Sequence, residues 1–162
     1  MMEDPVDRIV AQWRRERPDL EPAPMAVFGR IYRISRLMGD RMAAVYAEYG
    51  IGRGEFDVLA TLRRAGEPYT LSPKEMTATL MLTSGGMTGR LDRLERVGLV
   101  ARAQDPDDRR ALRISLTAKG TEVVEEAVTA GLRVQHEVLA VLSGEERERL
   151  GDLLRQLLGG LE

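Results

Sequence analysis

The apolar positions in the first third of the chain recur with a helical period. Between Val27 and Tyr49 they are separated by three or four residues throughout, as one buried stripe of a long helix requires. The pattern predicts a helix over residues 24–49, which Gly50 would end. A second apolar stripe of the same period predicts a shorter helix from Gly54 to Ala65.

Two helices in the middle of the chain are predicted from their capping residues. Ser72 precedes a proline at the first helical position and stands three residues before a glutamate, as in a capping box. That helix should end near Leu82. Thr83 or Ser84 should then cap a second helix, which would stop at Gly98. The sequence thus predicts two helices that are joined by a tight turn.

After these helices the period of the apolar positions changes from about 3.6 to 2. A short and largely apolar run covers residues 99–103, and apolar and polar residues alternate over residues 112–116. A polar segment, residues 105–110, separates the two stretches. We therefore expect a two-stranded β-hairpin with a polar loop.

The chain should end in two further helices, one capped by Thr117 and one begun by a capping box of Ser143 and Glu146. The first has two neighbouring apolar stripes. The second carries six leucines, Leu150, Leu153, Leu154, Leu157, Leu158 and Leu161. Burial of each leucine is worth about 1.5–3 kcal/mol, and a terminal helix of a small monomer rarely covers six. A partner subunit is expected to cover them.

The composition excludes several classes of enzyme and metal site. The 162 residues include no cysteine, so disulfides, thiolate zinc sites, iron–sulfur clusters and cysteine nucleophiles are excluded. A single histidine removes most zinc and Ser-His-Asp arrangements as well. We expect no cofactor and no metal site, and we do not expect an enzyme.

Charge and hydropathy predict where in the cell the protein is found more clearly than what it binds. The N-terminus has acids where a signal peptide needs bases, and no apolar run approaches the roughly 20 residues of a membrane span. A cytoplasmic protein without a membrane segment is therefore expected. The net charge is −2, and residues 83–116 carry seven bases and five acids. So small an excess fits a phosphate-binding face or an ordinary solvated surface.

The order of the predicted elements is that of a winged helix-turn-helix, which suggests binding of double-stranded DNA. We expect a mainly α fold with a small β-hairpin wing, in which residues 51–116 bind DNA. Glycines near the start of the second helix cost roughly 1 kcal/mol each, which favours close approach to a DNA backbone or, alternatively, to the preceding helix. The loop arginines either enter the minor groove or are incidental charges. The candidate DNA-binding residues are Thr83, Ser84, Gly85, Gly86, Thr88, Arg93, Arg109 and Arg110.

The wing region resembles that of a known family. The run from Asp105 to Gly120, DPDDRRALRISLTAKG, is similar to the wing signature of the MarR family of dimeric winged-helix transcriptional regulators. The resemblance spans residues 25–161. It implies a homodimer whose interface is formed by residues 24–50 and 117–162, with residues 1–23 as an extra N-terminal helix and linker to one integrated domain.

A narrower resemblance is to the urate-responsive subgroup of that family, the PecS or HucR regulators. It rests on a first helix with a tryptophan and on the runs EFDVLATLR and SGGMTGRLDRL. It implies a ligand site that consists of Trp13, Asp57, Arg90 and Arg102. Two arginines would offer forked donors to a planar anion, and the indole would offer a flat wall. If the ligand took Arg90 from Asp57, the recognition helix would shift.

Each of these four residues also has a structural explanation. Trp13 would hold the first helix in place, Asp57 and Arg90 would form an ion pair, and Arg102 would be a phosphate contact or a surface charge. Together the sequence and the resemblance lead us to expect a homodimeric repressor of a pseudo-palindromic operator that urate releases. The alternatives are another anionic effector, such as an aromatic carboxylate or a tricarboxylic acid, and a dimeric adaptor that binds no DNA.

Overall fold

The structure is a computed structural model that describes residues 3–81, 86–106, 108 and 111–161. The chain divides into two compact units, Met1–Ala44 and Val45–Glu162. In the described residues no helix is both long enough and apolar enough to cross a membrane.

Charged groups hold the first unit together. Its helices are α1 (Pro5–Glu16) and most of α2 (Ala23–Ala47). The carboxylate of Asp4 caps α1 by accepting hydrogen bonds from the backbone N–H groups of Val6 and Asp7, at 2.7 and 3.1 Å. Arg30 of α2 donates to Asp4 and Asp7 at 2.8 and 2.7 Å. This one guanidinium therefore ties the first turn of α1 to α2.

The second unit contains the remaining helices and a small sheet. In chain order its elements are α3 (Arg53–Arg64), β1 (Thr70–Leu71), α4 (Pro73–Thr79), α5 (Met87–Arg96), β2 (Val100–Gln104), β3 (Leu112–Leu116), α6 (Ala118–Leu139) and α7 (Gly144–Gly159). The strands are antiparallel in the order β1–β3–β2. Helix α3 contacts α4, α5, α6 and β3, and its Val58, Leu59 and Leu62 are fully buried. The core of the unit thus forms around α3.

The predicted fold class, mainly helical with a small wing, is confirmed. The helices predicted over 24–49 and Gly54–Ala65 are α2 and α3, with ends that differ by one or two residues. The predicted caps are present as well: the hydroxyls of Ser72, Thr117 and Ser143 each accept a hydrogen bond from the backbone N–H three residues later. Capping chemistry is local, which explains why the sequence predicts it well.

The sheet has one strand more than the two-stranded hairpin that we predicted. Strand β1 pairs with the outer edge of β3, with Thr70 opposite Ser115 and Leu71 opposite Ile114. The hydroxyls of Thr70 and Ser115 lie 2.7 Å apart. A strand of two residues is too short to show an alternating pattern, so periodicity could not predict it.

The boundaries of the two central helices also differ from the prediction. Helix α4 ends at Thr79, before the expected Leu82, because the backbone of Leu80 is extended. The N-cap of α5 is Gly86, whereas we expected Thr83 or Ser84. Gly86 has φ of +76°, a left-handed conformation that glycine adopts without the steric cost of a side chain. Gly86 thus begins α5 by its backbone conformation, without a side-chain hydrogen bond of its own.

The last two helices carry a broad apolar surface within this chain. No residue of α7 is buried, and four of its five leucines are exposed together with several apolar residues of α6. The exposed apolar side chains of the two helices are Val128, Leu132, Leu139, Leu150, Leu153, Leu154 and Leu158. The prediction that a partner subunit covers this surface remains a prediction.

The start of α6 packs closely on residues 97–99, the segment between α5 and β2. Thr117 Oγ1 donates to the carbonyl of Gly98 at 2.7 Å, and Lys119 Nζ donates to that of Val97 at 2.9 Å. A Cβ on Gly120 would overlap the carbonyl oxygen of Leu99 and lie 2.9 Å from its carbonyl carbon. Because the obstacle is backbone, a side chain at residue 120 would force the two segments apart.

We predict that Gly120→Ala lowers the free energy of unfolding by about 1–3 kcal/mol, as overpacking of a tight contact does. Urea unfolding followed by circular dichroism, at one protein concentration, measures the change. The control is Gly151→Ala in α7, where a Cβ would meet no described atom within 4 Å. Equal stability of Gly120→Ala and the parent protein would contradict the predicted clash.

Candidate functional site

Helix α5, the predicted recognition helix, buries one face and exposes another. Leu91 and Leu94 are buried, whereas Gly86, Thr88 and Arg96 are exposed. A helix with this division presents its polar side to a partner while its apolar side stays fixed in the core. Of the predicted DNA-binding residues, Gly86 and Thr88 thus lie on the exposed side at the start of α5.

The other predicted DNA-binding residues fall into two groups. Arg93 lies on α5 but is engaged within the protein. Thr83, Ser84, Gly85, Arg109 and Arg110 lie outside the described residues. Their roles therefore remain predictions.

Arg93 connects the recognition helix to the segment that begins α3. One of its Nη atoms forms an ion pair with the carboxylate of Glu55, and the other donates to the carbonyl of Gly50 at 3.2 Å. The Glu55 side chain is only 8% exposed. Its second oxygen accepts a hydrogen bond from the N–H of Gly52 at 2.8 Å, so this carboxylate also caps α3. The sequence predicts Arg93 as a DNA contact, and its pairing with Glu55 was not predicted.

Arg90 of α5 packs on the N-terminal half of α3, the half that contains Asp57. The guanidinium of Arg90 occupies the space above Gly54, where a Cβ would lie 2.6 Å from its Cζ. Asp57 follows three residues later, is 5% exposed, and accepts a hydrogen bond from the N–H of Met81 at 3.2 Å. Because Gly54 and Asp57 are three residues apart, they share a face of α3. Arg90, which contacts Gly54, and Asp57 therefore lie at the same half of that helix.

Arg102 is held by acids of the recognition helix. Its guanidinium lies 2.8 Å from Asp92 and 2.5 Å from Glu95, and its side chain is 27% exposed. The hydrogen bond from Arg102 holds the pKa of Glu95 below its usual value, and Glu95 in turn raises the pKa of Arg102. Asp92 and Glu95 thus fasten α5 to strand β2.

Trp13, the fourth predicted ligand residue, belongs to the first unit. It lies on α1, its side chain is 42% exposed, and its carbonyl accepts the hydrogen bond that ends the helix at Arg17. An exposed indole is available for stacking. A ligand role for Trp13 thus remains a prediction that rests on the resemblance.

A cleft of about 510 Å³ opens beside Asp57, within the size range of small-molecule sites. It lies between α3 and α6. Tyr46 and Phe56 form a stacked pair on its wall, with ring centroids 3.9 Å apart, and burial raises the pKa of Tyr46. Its other lining residues include Arg64, Met81, Val124, Val128 and Leu132. The apolar pattern of the sequence does not predict this cleft. The second apolar stripe of α6 indicates only that this helix contacts something besides its own domain.

The base of the wing is fixed by another ion pair. Arg113 of β3 lies 2.6 Å from Asp105 and 3.5 Å from Glu75 of α4. Hydrogen bonds from the N–H and hydroxyl of Ser72 hold the pKa of Glu75 below its usual value. Asp105 also accepts from the N–H of Asp108 at 3.3 Å. These contacts connect both ends of the loop to the body of the unit.

Comparison with known proteins agrees with this architecture. A model of the MarR family matches residues 49–111. The chain is 40% identical over 157 residues to the HTH-type transcriptional regulator PecS of Dickeya dadantii, covering 97% of this chain and 92% of that protein. It is 30% identical over 128 residues to the transcriptional repressor MprA of Escherichia coli, covering 79% and 72% of the two chains.

A solved structure is similar as well. It is that of BpsR from Bordetella bronchiseptica, whose DNA binding is regulated by 6-hydroxynicotinic acid. The similarity has a TM-score of 0.63 at 25% identity and covers 79% of this chain and 98% of that chain. Together with the match to PecS over nearly the full length of both proteins, these findings show that the chain belongs to the MarR family of transcriptional regulators.

Proposed function

We propose that the protein is a homodimeric repressor that binds a pseudo-palindromic operator near its own promoter and is released by a small planar anion, urate. The exposed polar start of α5, above a face fixed by Leu91 and Leu94, carries the proposal because it leaves a helix end available for the major groove. The relationship to the repressor MprA and to PecS supports it.

The exposed apolar residues of α6 and α7 support a dimer. A second copy of the chain would remove these leucines and valines from water, at about 25 cal/mol for each Å² of apolar surface. Two recognition helices related by a twofold axis would read half-sites about one helical turn apart, 34–36 Å. A pseudo-palindromic operator follows from that symmetry.

The proposed effector site consists of Trp13, Asp57, Arg90 and Arg102, as the resemblance implies. An anion that bound Arg102 would compete with Asp92 and Glu95, the two acids that now hold it. Because both acids lie on α5, such competition would loosen α5 from the wing. The regulation of BpsR by 6-hydroxynicotinic acid, another flat acid, supports an effector of this shape.

The coupling required for release is modest. A ligand that prefers the non-binding arrangement about 100-fold weakens DNA affinity by up to about 2.7 kcal/mol. Hydrogen bonds to charged groups contribute about 1.5–3 kcal/mol each. The exchange of one arginine partner is thus on the energy scale that release requires.

A gel-shift series in rising salt tests the DNA-binding proposal. A protein that contacts phosphates loses affinity with a log–log slope of about −0.9 for each contact. We expect specific binding to fragments from the protein's own promoter region, with such a slope. An adaptor that does not meet DNA would show no binding at any salt concentration, which would contradict the proposal.

We predict that Arg102→Lys abolishes the urate response and changes the operator Kd by less than about threefold, because lysine keeps the charge but not the forked donors. Lysine would still place a cation between Asp92 and Glu95. Fluorescence anisotropy with a labelled operator, with and without urate, measures both effects. The matched control is Arg155→Lys on α7, which should respond as the parent protein does. A full urate response in Arg102→Lys would contradict this site.

We also predict that Arg110→Ala weakens binding to every operator tested and lowers the steepness of the salt dependence by about 1, as expected for loss of one phosphate contact. The measurement is the operator Kd at four or more salt concentrations. An unchanged slope would mean that Arg110 is not a phosphate contact and that the loop charge is incidental.

A further inference from the structure

Two arginines of α5 contact the first turn of α3 and the residues just before it. Arg90 lies on Gly54, and Arg93 binds Glu55 and the carbonyl of Gly50. We call residues 50–55 the α3 seat. Arg90 and Arg93 are three residues apart and thus neighbours on one face of α5, so both sides of the contact are continuous.

The chemistry of the α3 seat fixes the direction of α5. Glu55 is nearly buried, and each of its oxygens has a different partner: Arg93 and the N–H of Gly52. A buried carboxylate that loses its cation is strongly destabilised, so this pair resists separation. Arg93 also donates to the carbonyl of Gly50, and a guanidinium with two fixed acceptors allows little rotation.

Gly54 leaves room for the guanidinium of Arg90 because it has no side chain. A Cβ at this residue would overlap the Nε of Arg90 and lie 2.9 Å from one of its Nη atoms. The obstacle is the end of a flexible side chain, so a methyl group at residue 54 would displace Arg90 without disturbing the backbone. The glycine therefore matters for the position of Arg90 more than for the stability of α3.

We propose that the α3 seat sets the orientation of the recognition helix, so that Gly54, Glu55 and Arg93 are positioning residues for operator binding. This inference rests on the proposed function, because it assumes that α5 reads DNA. Arg93, whose side chain is half exposed, then acts through Glu55 and Gly50, and the nearly buried carboxylate of Glu55 already balances its charge. It should add nothing to the release of counterions from DNA.

The signs of the expected effects distinguish positioning from DNA contact. If Arg93 contacted a phosphate, Glu55→Gln would leave or strengthen operator binding, because it removes a negative charge from the protein. If Arg93 is a positioning residue, Glu55→Gln weakens operator binding, although the protein becomes more positive. A carboxylate-to-amide change that weakens DNA binding is the signature of the α3 seat.

The first experiment is a double-mutant cycle on operator Kd. We expect Glu55→Gln and Arg93→Gln each to weaken binding by about tenfold, and the double variant to lose about tenfold rather than a hundredfold, because the two side chains act as one unit. The salt slope should stay within about 0.3 of the parent value. The control Glu122→Gln, an exposed acid on α6, should not weaken binding. Additive losses, or a slope lowered by about 1 in Arg93→Gln, would overturn the proposal.

The second experiment separates position from stability. Gly54→Ala should keep or raise the melting temperature, since alanine favours a helix over glycine, and yet weaken operator binding by about fivefold or more. Gly144→Ala, at the first position of α7 and without a described atom within 4 Å of its Cβ, is the matched control and should bind as the parent does. Parent-like operator binding by Gly54→Ala would overturn the role of Gly54.

Hydrogen exchange of the DNA-free protein tests the α3 seat independently of operator binding. Peptides from residues 87–96 should exchange faster in Glu55→Gln and Arg93→Gln, and at the parent rate in Glu122→Gln. If the parent protein bound no operator, the proposed function would fail while this measurement still judged the seat. Unchanged exchange in both variants would overturn the proposal even if the operator binds.

Discussion

The burial of one face of α3 is the constraint on which the rest of the second unit depends. Val58, Leu59 and Leu62 are removed from solvent because α4, α5, α6 and β3 all pack against this helix. A close-packed interior does not deform gradually. If α5 shifts against α3, it must therefore exchange one set of packing contacts for another. The apolar core therefore keeps α3 fixed, and the contacts of α5 can change only outside that core.

Polar contacts outside the core hold the recognition helix α5 in place. The α3 seat fixes α5 on one side through Arg90 and Arg93, and Arg102 of β2 fixes it on the other through Asp92 and Glu95. An anion can compete for a guanidinium, whereas it cannot compete for a leucine in a core. In the proposed function, this arrangement would let a planar acid act on α5 through a few arginines.

The helices and their caps could be predicted from sequence because periodicity and capping are local. The partners of Arg93 and Arg102 could not, because Glu55 lies 38 residues from Arg93 and no local pattern links them. The same holds for Gly54, whose role appears only when α5 lies above it. The ligand residues are implied by a family resemblance. Of these, Asp57 lies on α3, the guanidinium of Arg90 lies against Gly54 of the same helix, and Arg102 has acidic partners.

The central claim, that an anion moves recognition helices held at a fixed separation, is tested most directly by a distance between them. The chain has no cysteine, so Val97→Cys at the exposed C-terminal end of α5 gives one spin label per subunit. Pulsed electron resonance on the operator complex should give one narrow distance distribution, whose mean shifts when urate is added. The absence of a dipolar signal, or an identical distribution with and without saturating urate, would contradict the account.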